Sequence, residues 1–376
     1  MAPGPPFAPD TFSGSSAALL RSLERRGALT AAVDGRAGAI TFAERAASFA
    51  PDMERWKQRA NAGASFLSPL ARLAMSRVSA SRARAALDGA DTLLQMTGYF
   101  DPGRPRPDVL RCSYHDGNLA GFLRRPDLKI APDSRFARWS LDYERRLYDS
   151  VDLIFCMSEQ LRESFLSDFG QAPDKVVTVG AGANVASADV PERDWSPPRF
   201  LFVGKQWERK GGPVVLSAFA RLRAEVPEAE LAIAGPASLS VGVPGVEVLG
   251  RVTGGGDGPG SMAELYRRAT VFVMPSLYEP LGVAVIEAMA AGLPCIASTG
   301  GALPELIEEG VTGHLVPPGD EDALLARMLE LARSPDRCRA LGEAGAARYR
   351  ERFTWDAVAE RMLAAISSRR APRTDR

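Results

Sequence analysis

The chain has little of what would commit it to a narrow class of function. Across 376 residues there are four cysteines and two histidines. Cys112, Cys156, Cys295 and Cys338 lie far apart and form no C-x-x-C pair. That spacing excludes a disulfide framework and a cysteine-rich zinc site, and it reads as reduced packing residues in a reducing compartment. An excess of one charge is also missing. Lys+Arg and Asp+Glu number 46 each, so no bulk positive charge marks a nucleic-acid binder, and no nucleic-acid partner is expected. No run approaches the ~20 apolar residues of a membrane span. The opening "MAPGPPFAPDTFSG" has neither the charged nor the apolar region of a signal peptide. The expected location is cytoplasmic, with room for a peripheral contact at the inner face of the membrane.

What is present is a folded, two-domain pattern. Composition is 45% hydrophobic and 24% charged, which argues against extended disorder, and the length exceeds what one core usually fills. In the second half the runs "RFLFVG", "ELAIAG", "VEVLG", "TVFVMPS", "PCIAS" and "GHLVPP" read as strands. Helical patterns such as "PVVLSAFARLRAEV", "SMAELYRRA", "ALPELIEEG" and "DEDALLARMLELARS" separate them. Strands alternating with helices predict a parallel sheet covered on both faces. The first half repeats the pattern less regularly, with strands at "LTAAVD", "DTLLQM", "VLRCSYH", "VDLIFCMS" and "KVVTVG". Helices are expected over Pro69–Leu87, Arg135–Asp149 and Ser158–Phe169. The proline-rich stretch at 183–198 reads as a linker. The expected organisation is an N-terminal domain over 1–182, this linker, a C-terminal domain over 199–350, and a helix with a charged tail over 351–376 that packs back on the first domain.

Ligands of open parallel sheets bind beyond the C-terminal strand ends. "RFLFVG" is followed by "KQWERKGG", placing Lys205, Arg209 and Lys210 at a strand mouth. "TVFVMPS" is followed by "LYEPLG", with Glu279 ahead of a helix that opens near Leu281 to Val283. Free amides at such an opening hold an anion, and lysines opposite would add charge-assisted hydrogen bonds. These features together predict a diphosphate site.

The stretch "VAVIEAMAA" is apolar all round and belongs inside the protein, yet it carries Glu287. A buried carboxylate without partners costs several kcal/mol. Either a ligand diol supplies the donors, or Glu287 pairs with a buried arginine or accepts backbone N–H bonds. Lys205 and Lys210 taken singly are as readily solvated strand-end lysines. Three lesser signals carry less weight. "VVTVGAGANV" lacks the third glycine of a dinucleotide loop. "FVGKQ" lacks the remaining parts of a phosphate-binding P-loop. Asp320 in "DED" reads as a helix cap rather than a metal ligand. His314 reads as structural. His115, ending "VLRCSYH" ahead of Asp116 and Gly117, is expected to face the crevice between domains and to touch a sugar or acceptor hydroxyl. The "SGSS" loop, with Gly14, leads into a helix and is expected to face the same way.

Taken in order from Phe200 to Pro318, these segments resemble the retaining glycosyltransferases of family 4. The E-x7-E pair Glu279 and Glu287 carries the likeness most specifically; "FSGSSAALLRSLERRG", "YHDG" and "YDSVDLIFCMSEQLRESF" extend it weakly into the first half. The resemblance implies the GT-B architecture, two Rossmann-like doubly wound parallel-sheet domains facing a central cleft. It implies sugar transfer from a nucleotide-diphosphate sugar to an acceptor hydroxyl with retention, in bacterial-type glycan or glycoconjugate synthesis, with no metal and no cofactor beyond the donor. By this resemblance Lys205 and Lys210 hold the donor diphosphate, Glu279 the donor sugar and Glu287 the ribose. Leu281, Gly282 and Val283 offer backbone N–H groups, and Gly250, Arg251 and Val252 lie near the base. His115 lies near the donor sugar and Gly14 near the phosphates. The acceptor is a glycan, a lipid-linked glycan or a small molecule. One departure stands out: the short hydrophobic strand that normally precedes the glycine loop is degenerate or missing here. A sugar-nucleotide epimerase of similar fold and a non-catalytic nucleotide-sugar-binding protein are the alternative readings.

Overall fold

The computed structural model describes residues 1–2, 4–8, 11–35, 69–98, 101–125, 133–185, 190, 192–252 and 260–370. The chain divides into two compact units, residues 1–179 with 359–376, and residues 180–358.

The first unit begins with α1 (Ser15–Arg25), entered through Gly14 in a left-handed conformation, φ 91°. α2 (Pro69–Ala86) leads to β1 (Thr92–Met96) and β2 (Leu110–His115). α3 (Leu119–Leu123), α4 (Arg135–Asp149), β3 (Leu153–Cys156), α5 (Glu159–Ser167) and β4 (Val176–Thr178) follow. The helices start where short polar side chains can cap them: Asn118, Ser134 and Ser158 accept from the amides of Gly121, Ala137 and Leu161. The strands lie parallel in the order β1-β2-β3-β4. Tyr148, Ile154, Cys156, Phe165, Phe169 and Val176 close one core over this sheet.

"LTAAVD" forms no strand; it contributes a single parallel bridge from Asp34 to Ala2. Residues 1–2 themselves run beside β1, with the Met96 amide on Met1 O at 2.9 Å and the Ala2 amide on Val33 O at 2.9 Å. The strand expected ahead of the glycine loop is thus represented in the described residues by a two-residue stretch.

The second unit starts with β5 (Arg199–Val203) and α6 (Gly212–Glu225), then β6 (Glu230–Ala234), β7 (Val246–Gly250), α7 (Met262–Arg268) and β8 (Val271–Met274). α8 (Val283–Ala290), β9 (Cys295–Ser298), α9 (Leu303–Leu306), β10 (Gly313–Val316), α10 (Glu321–Ala332) and α11 (Pro335–Arg352) complete it. α12 (Trp355–Arg370) starts here, and from Ala359 its residues belong to the first unit. All six strands are parallel, in the order β10-β9-β8-β5-β6-β7. This is the doubly wound order, in which winding reverses between β5 and β8. Phe200, Phe202, Phe219, Ile233, Val273 and Ile296 lie at the centre of its core. Each such side chain taken from water contributes roughly 1.5–3 kcal/mol.

Residues 180–185 and 192–198 are bonded into this unit. Arg193 donates to Ala269 O at 2.6 Å and Trp195 packs on the core. Asp320 caps α10 by accepting from the Ala323 amide at 2.9 Å, as its place in the sequence predicts. His314 is buried and holds Glu309 at 2.9 Å, a structural role. All four cysteines are free and buried.

Candidate active site

β5 and β8 are adjacent, so the loops that leave their C-terminal ends meet at the point where winding reverses. The loop after β5 is folded tightly. The Lys210 amide bonds Gln206 O, the Gly212 amide bonds Trp207 O, and Trp207 stacks edge-on against Phe202 at 5.2 Å. The Leu277 amide then bonds Arg209 O at 2.8 Å, which joins the two loops through their backbones.

Their side chains meet at Glu279. Lys210 Nζ lies 2.5 Å from Glu279 Oε2, and Arg209 Nη1 lies 3.2 Å from the same oxygen. Arg209 Nη1 also donates to Tyr278 O at 2.5 Å. All three side chains are largely buried, Glu279 at 9% exposure. Burial works to raise the Glu279 carboxyl, but the charges of Lys210 and Arg209 outweigh it and hold the group below the usual carboxylate value. Lys210 and Glu279 therefore form one ion pair. An ammonium has three donors; Glu279 takes one, and the Met274 sulfur lies near another at 3.4 Å.

Next to this pair α8 opens. Gly282 precedes it in the left-handed region, φ 103°, and no side chain caps it. The first amides of the turn to be bonded are those of Val285 and Ile286, both to Gly282 O. Among the described residues no hydrogen bond reaches the amides of Leu281, Gly282 or Val283. The loop after β9 closes on the same place: Gly301 sits so near Glu279 O that a Cβ there would lie 2.0 Å from it, and the Ala302 amide bonds that oxygen at 2.9 Å. A cation, unbonded amides and a helix dipole converge here, which is the chemistry of an anion site.

Glu287, in the second turn of α8, is 8% exposed and already partnered. The Tyr266 hydroxyl donates to its Oε2 at 2.9 Å, and the Val185 amide donates to its Oε1 at 3.2 Å. Of the two ways to offset its burial, backbone and side-chain donors are the ones the described residues supply. Burial pushes the carboxyl up to about 7, against the lowering effect of Tyr266, Val185, Asn184 and Lys210.

The remaining expected site residues are placed as follows. Lys205 is exposed and makes no ion pair among the described residues. Gly250 O accepts from the Gly235 amide at 2.7 Å, and a Cβ on Gly235 would meet Gly204 O and Lys205 N within 3 Å. The ends of β5, β6 and β7 therefore adjoin. Beyond them Arg251 is exposed and Val252 half-buried. Gly14 starts α1 in the first unit. His115 ends β2, as the pattern indicates. It is 1% exposed, and Tyr148 and Phe165 pack against its ring at 5.3 and 5.1 Å. Burial holds its imidazole down at about 3, in the neutral form.

The sequence marks Arg209 only as a strand-mouth cation and does not single out Tyr266. The adjacency of Arg209 to Lys210 was a usable signal. Tyr266 stands in "AELYRRA", 21 residues from its carboxylate, and no local pattern reveals that contact.

Residues 197–334 match the family model of glycosyl transferases group 1. The MMP alpha-(1->4)-mannosyltransferase of Mycolicibacterium hassiacum is 30% identical over 253 residues, 60% of this chain and 57% of that protein. A D-inositol 3-phosphate glycosyltransferase of Segniliparus rotundus is 34% identical over 172 residues, 43% of this chain and 38% of that protein. The chain thus spans about half or less of the curated relatives it matches. Among solved structures, sucrose-phosphate synthase from Thermosynechococcus elongatus aligns with TM-score 0.60 at 21% identity, covering 81% of this chain and 80% of that one. Anabaena HepE in complex with UDP aligns with TM-score 0.60 at 15% identity, covering 89% and 98%. The second unit's segment 197–334 is thus similar to glycosyl transferases group 1, and the two parallel α/β domains of the chain share the GT-B fold of solved glycosyltransferases.

Proposed function

We propose that the protein is a retaining, metal-independent glycosyltransferase of family 4 that takes a nucleotide-diphosphate sugar as donor and a glycan, lipid-linked glycan or small molecule as acceptor. The observation that carries this reading is the convergence of Lys210, Arg209, Glu279 and the unbonded amides of α8 where winding reverses. A diphosphate fits the amides of Leu281, Gly282 and Val283, with Lys205 and the free donor of Lys210 on its oxygens. Glu279, fixed by Arg209 and Lys210, accepts hydroxyls of the donor sugar, and Glu287 accepts from the ribose. Arg251 and Val252 flank the base, and Gly14 and His115 belong to the first unit.

In this reading the C1–O bond to the diphosphate breaks, and its electron pair leaves with the phosphate oxygen. The acceptor oxygen bonds C1 on the same face, and its proton passes to that phosphate oxygen. No protein nucleophile takes part. Negative charge grows on the leaving group, where Lys210 and the α8 amides stabilise it; this is electrostatic preorganisation and needs no metal. The mannosyltransferase and inositol-phosphate relatives and the UDP-bound neighbour support a sugar-nucleotide donor.

The test is thermal unfolding with UDP, GDP, ADP and their sugars. At least one should raise the midpoint, since a ligand at a hundred times its Kd contributes about 2.7 kcal/mol. Lys210→Ala and Glu287→Ala should reduce that rise. If no nucleotide stabilises the full chain, the reading fails. The burial of His115 favours a second reading, a nucleotide-sugar-binding protein without turnover. Binding with no transfer across a broad acceptor panel would establish it.

A further inference from the structure

Tyr266 sits at the C-terminal half of α7, 1% exposed, with its ring tilted against Phe272 of β8. Its hydroxyl reaches two atoms of α8: Glu287 Oε2 at 2.9 Å and, more distantly, Ala284 O at 3.4 Å. The opposite oxygen of Glu287 is held by the Val185 amide. That segment is itself fixed, because Trp355 Nε1 donates to Asn184 Oδ1 at 3.2 Å and Trp355 fills the space beside Gly182. A carboxylate offers about four acceptor positions. The Asn184 backbone also donates to this carboxylate. These three donors fix its plane and still leave acceptor capacity on the group.

We propose that Tyr266 is a positioning residue for ribose recognition: its hydroxyl orients the Glu287 carboxylate so that the remaining lone pairs accept the 2′,3′-diol of the nucleotide. The inference rests on the nucleotide-sugar reading above. The charged and titratable groups facing the pair are Lys210, whose charge acts on Glu287, and Cys295, near the phenol, whose thiol burial holds protonated. Loss of the Tyr266 hydroxyl removes a donor that favours ionised Glu287.

The experiment measures the affinity of UDP, GDP and ADP, each against its 2′-deoxy counterpart, by calorimetry on the full chain over a range of pH. Wild type should prefer the ribonucleotide about tenfold, and this preference should rise through pH 7 as Glu287 ionises. Tyr266→Phe should cut the preference severalfold and move the pH midpoint upward by about one unit. Glu287→Gln should abolish the pH dependence. An unchanged ratio and midpoint in Tyr266→Phe overturns the proposal while leaving nucleotide binding intact. Absence of any nucleotide binding by wild type overturns both. Should Tyr266→Phe fail to fold, Tyr266→Met carries the same measurement.

Discussion

Glu279 and Glu287 are both buried carboxylates on one loop-helix segment, yet folding moves them in opposite directions. Glu279 is held below the usual value of 4.5 because Lys210 and Arg209 outweigh its burial. Its contribution to stability is present above that usual value and is lost as pH falls through the lowered one. Glu287 is raised from 4.5 to about 7, so the unfolded chain ionises first. Its protonated form stabilises the fold below about pH 4.5, and this contribution drains away as pH rises to about 7. The shift corresponds to about 3 kcal/mol. Two substitutions separate the cases. Glu287→Gln should raise the unfolding midpoint at pH 8, with the gain vanishing near pH 4.5, because the amide carries no charge to bury. Glu279→Gln should lower the midpoint at pH 8, through a loss of stability on the order of 3 kcal/mol, since two buried cations lose their partner, and the loss should shrink in acid. Both follow from pH-dependent thermal unfolding, and parallel pH profiles for the two variants would contradict the assignment.

At the scale of elements, much of the second unit was legible. "RFLFVG", "ELAIAG", "PCIAS" and "GHLVPP" are apolar runs bounded by turn residues, and each became a strand because both sheet faces are covered. The apolar-all-round run "VAVIEAMA" became α8 for the same reason. "LTAAVD" has an equally apolar look but found only one bridging partner, Ala2, and no ladder formed. "ALPELIEEG" shortened to Leu303–Leu306. What the pattern could not convey is the packing of the loop after β9. Its Gly301 has φ 77°, and a Cβ there would press on Glu279 O. Gly301→Ala should therefore displace the backbone that carries Glu279. The strain costs roughly 1–3 kcal/mol, and Glu279 should lose its contact with Lys210. Calorimetric unfolding together with nucleotide titration tests this. A variant with wild-type stability and affinity would show that the loop is free to yield.

At the scale of the molecule, the chain passes between its units twice, after Val179 and after Val358, so the second unit is one continuous stretch. The site was partly legible for that reason. Lys210, Glu279 and Leu281 to Val283 lie within 80 residues of sequence and on strands that the doubly wound order brings side by side. The Tyr266–Glu287–Val185 contacts were not legible, because they depend on how a helix and the irregular segment at 180–185 settle on α8. All of these residues nonetheless belong to the second unit, as does a core built from Phe200, Phe219, Ile233 and Ile296. Residues 180–358 expressed alone should accordingly unfold cooperatively and bind the same nucleotide as the full chain within about threefold, a difference under ~1 kcal/mol. Transfer to an acceptor should be lost. If the fragment folds but binds no nucleotide that the full chain binds, residues of the first unit contribute to the donor site, and the assignment of that site to the second unit alone is wrong.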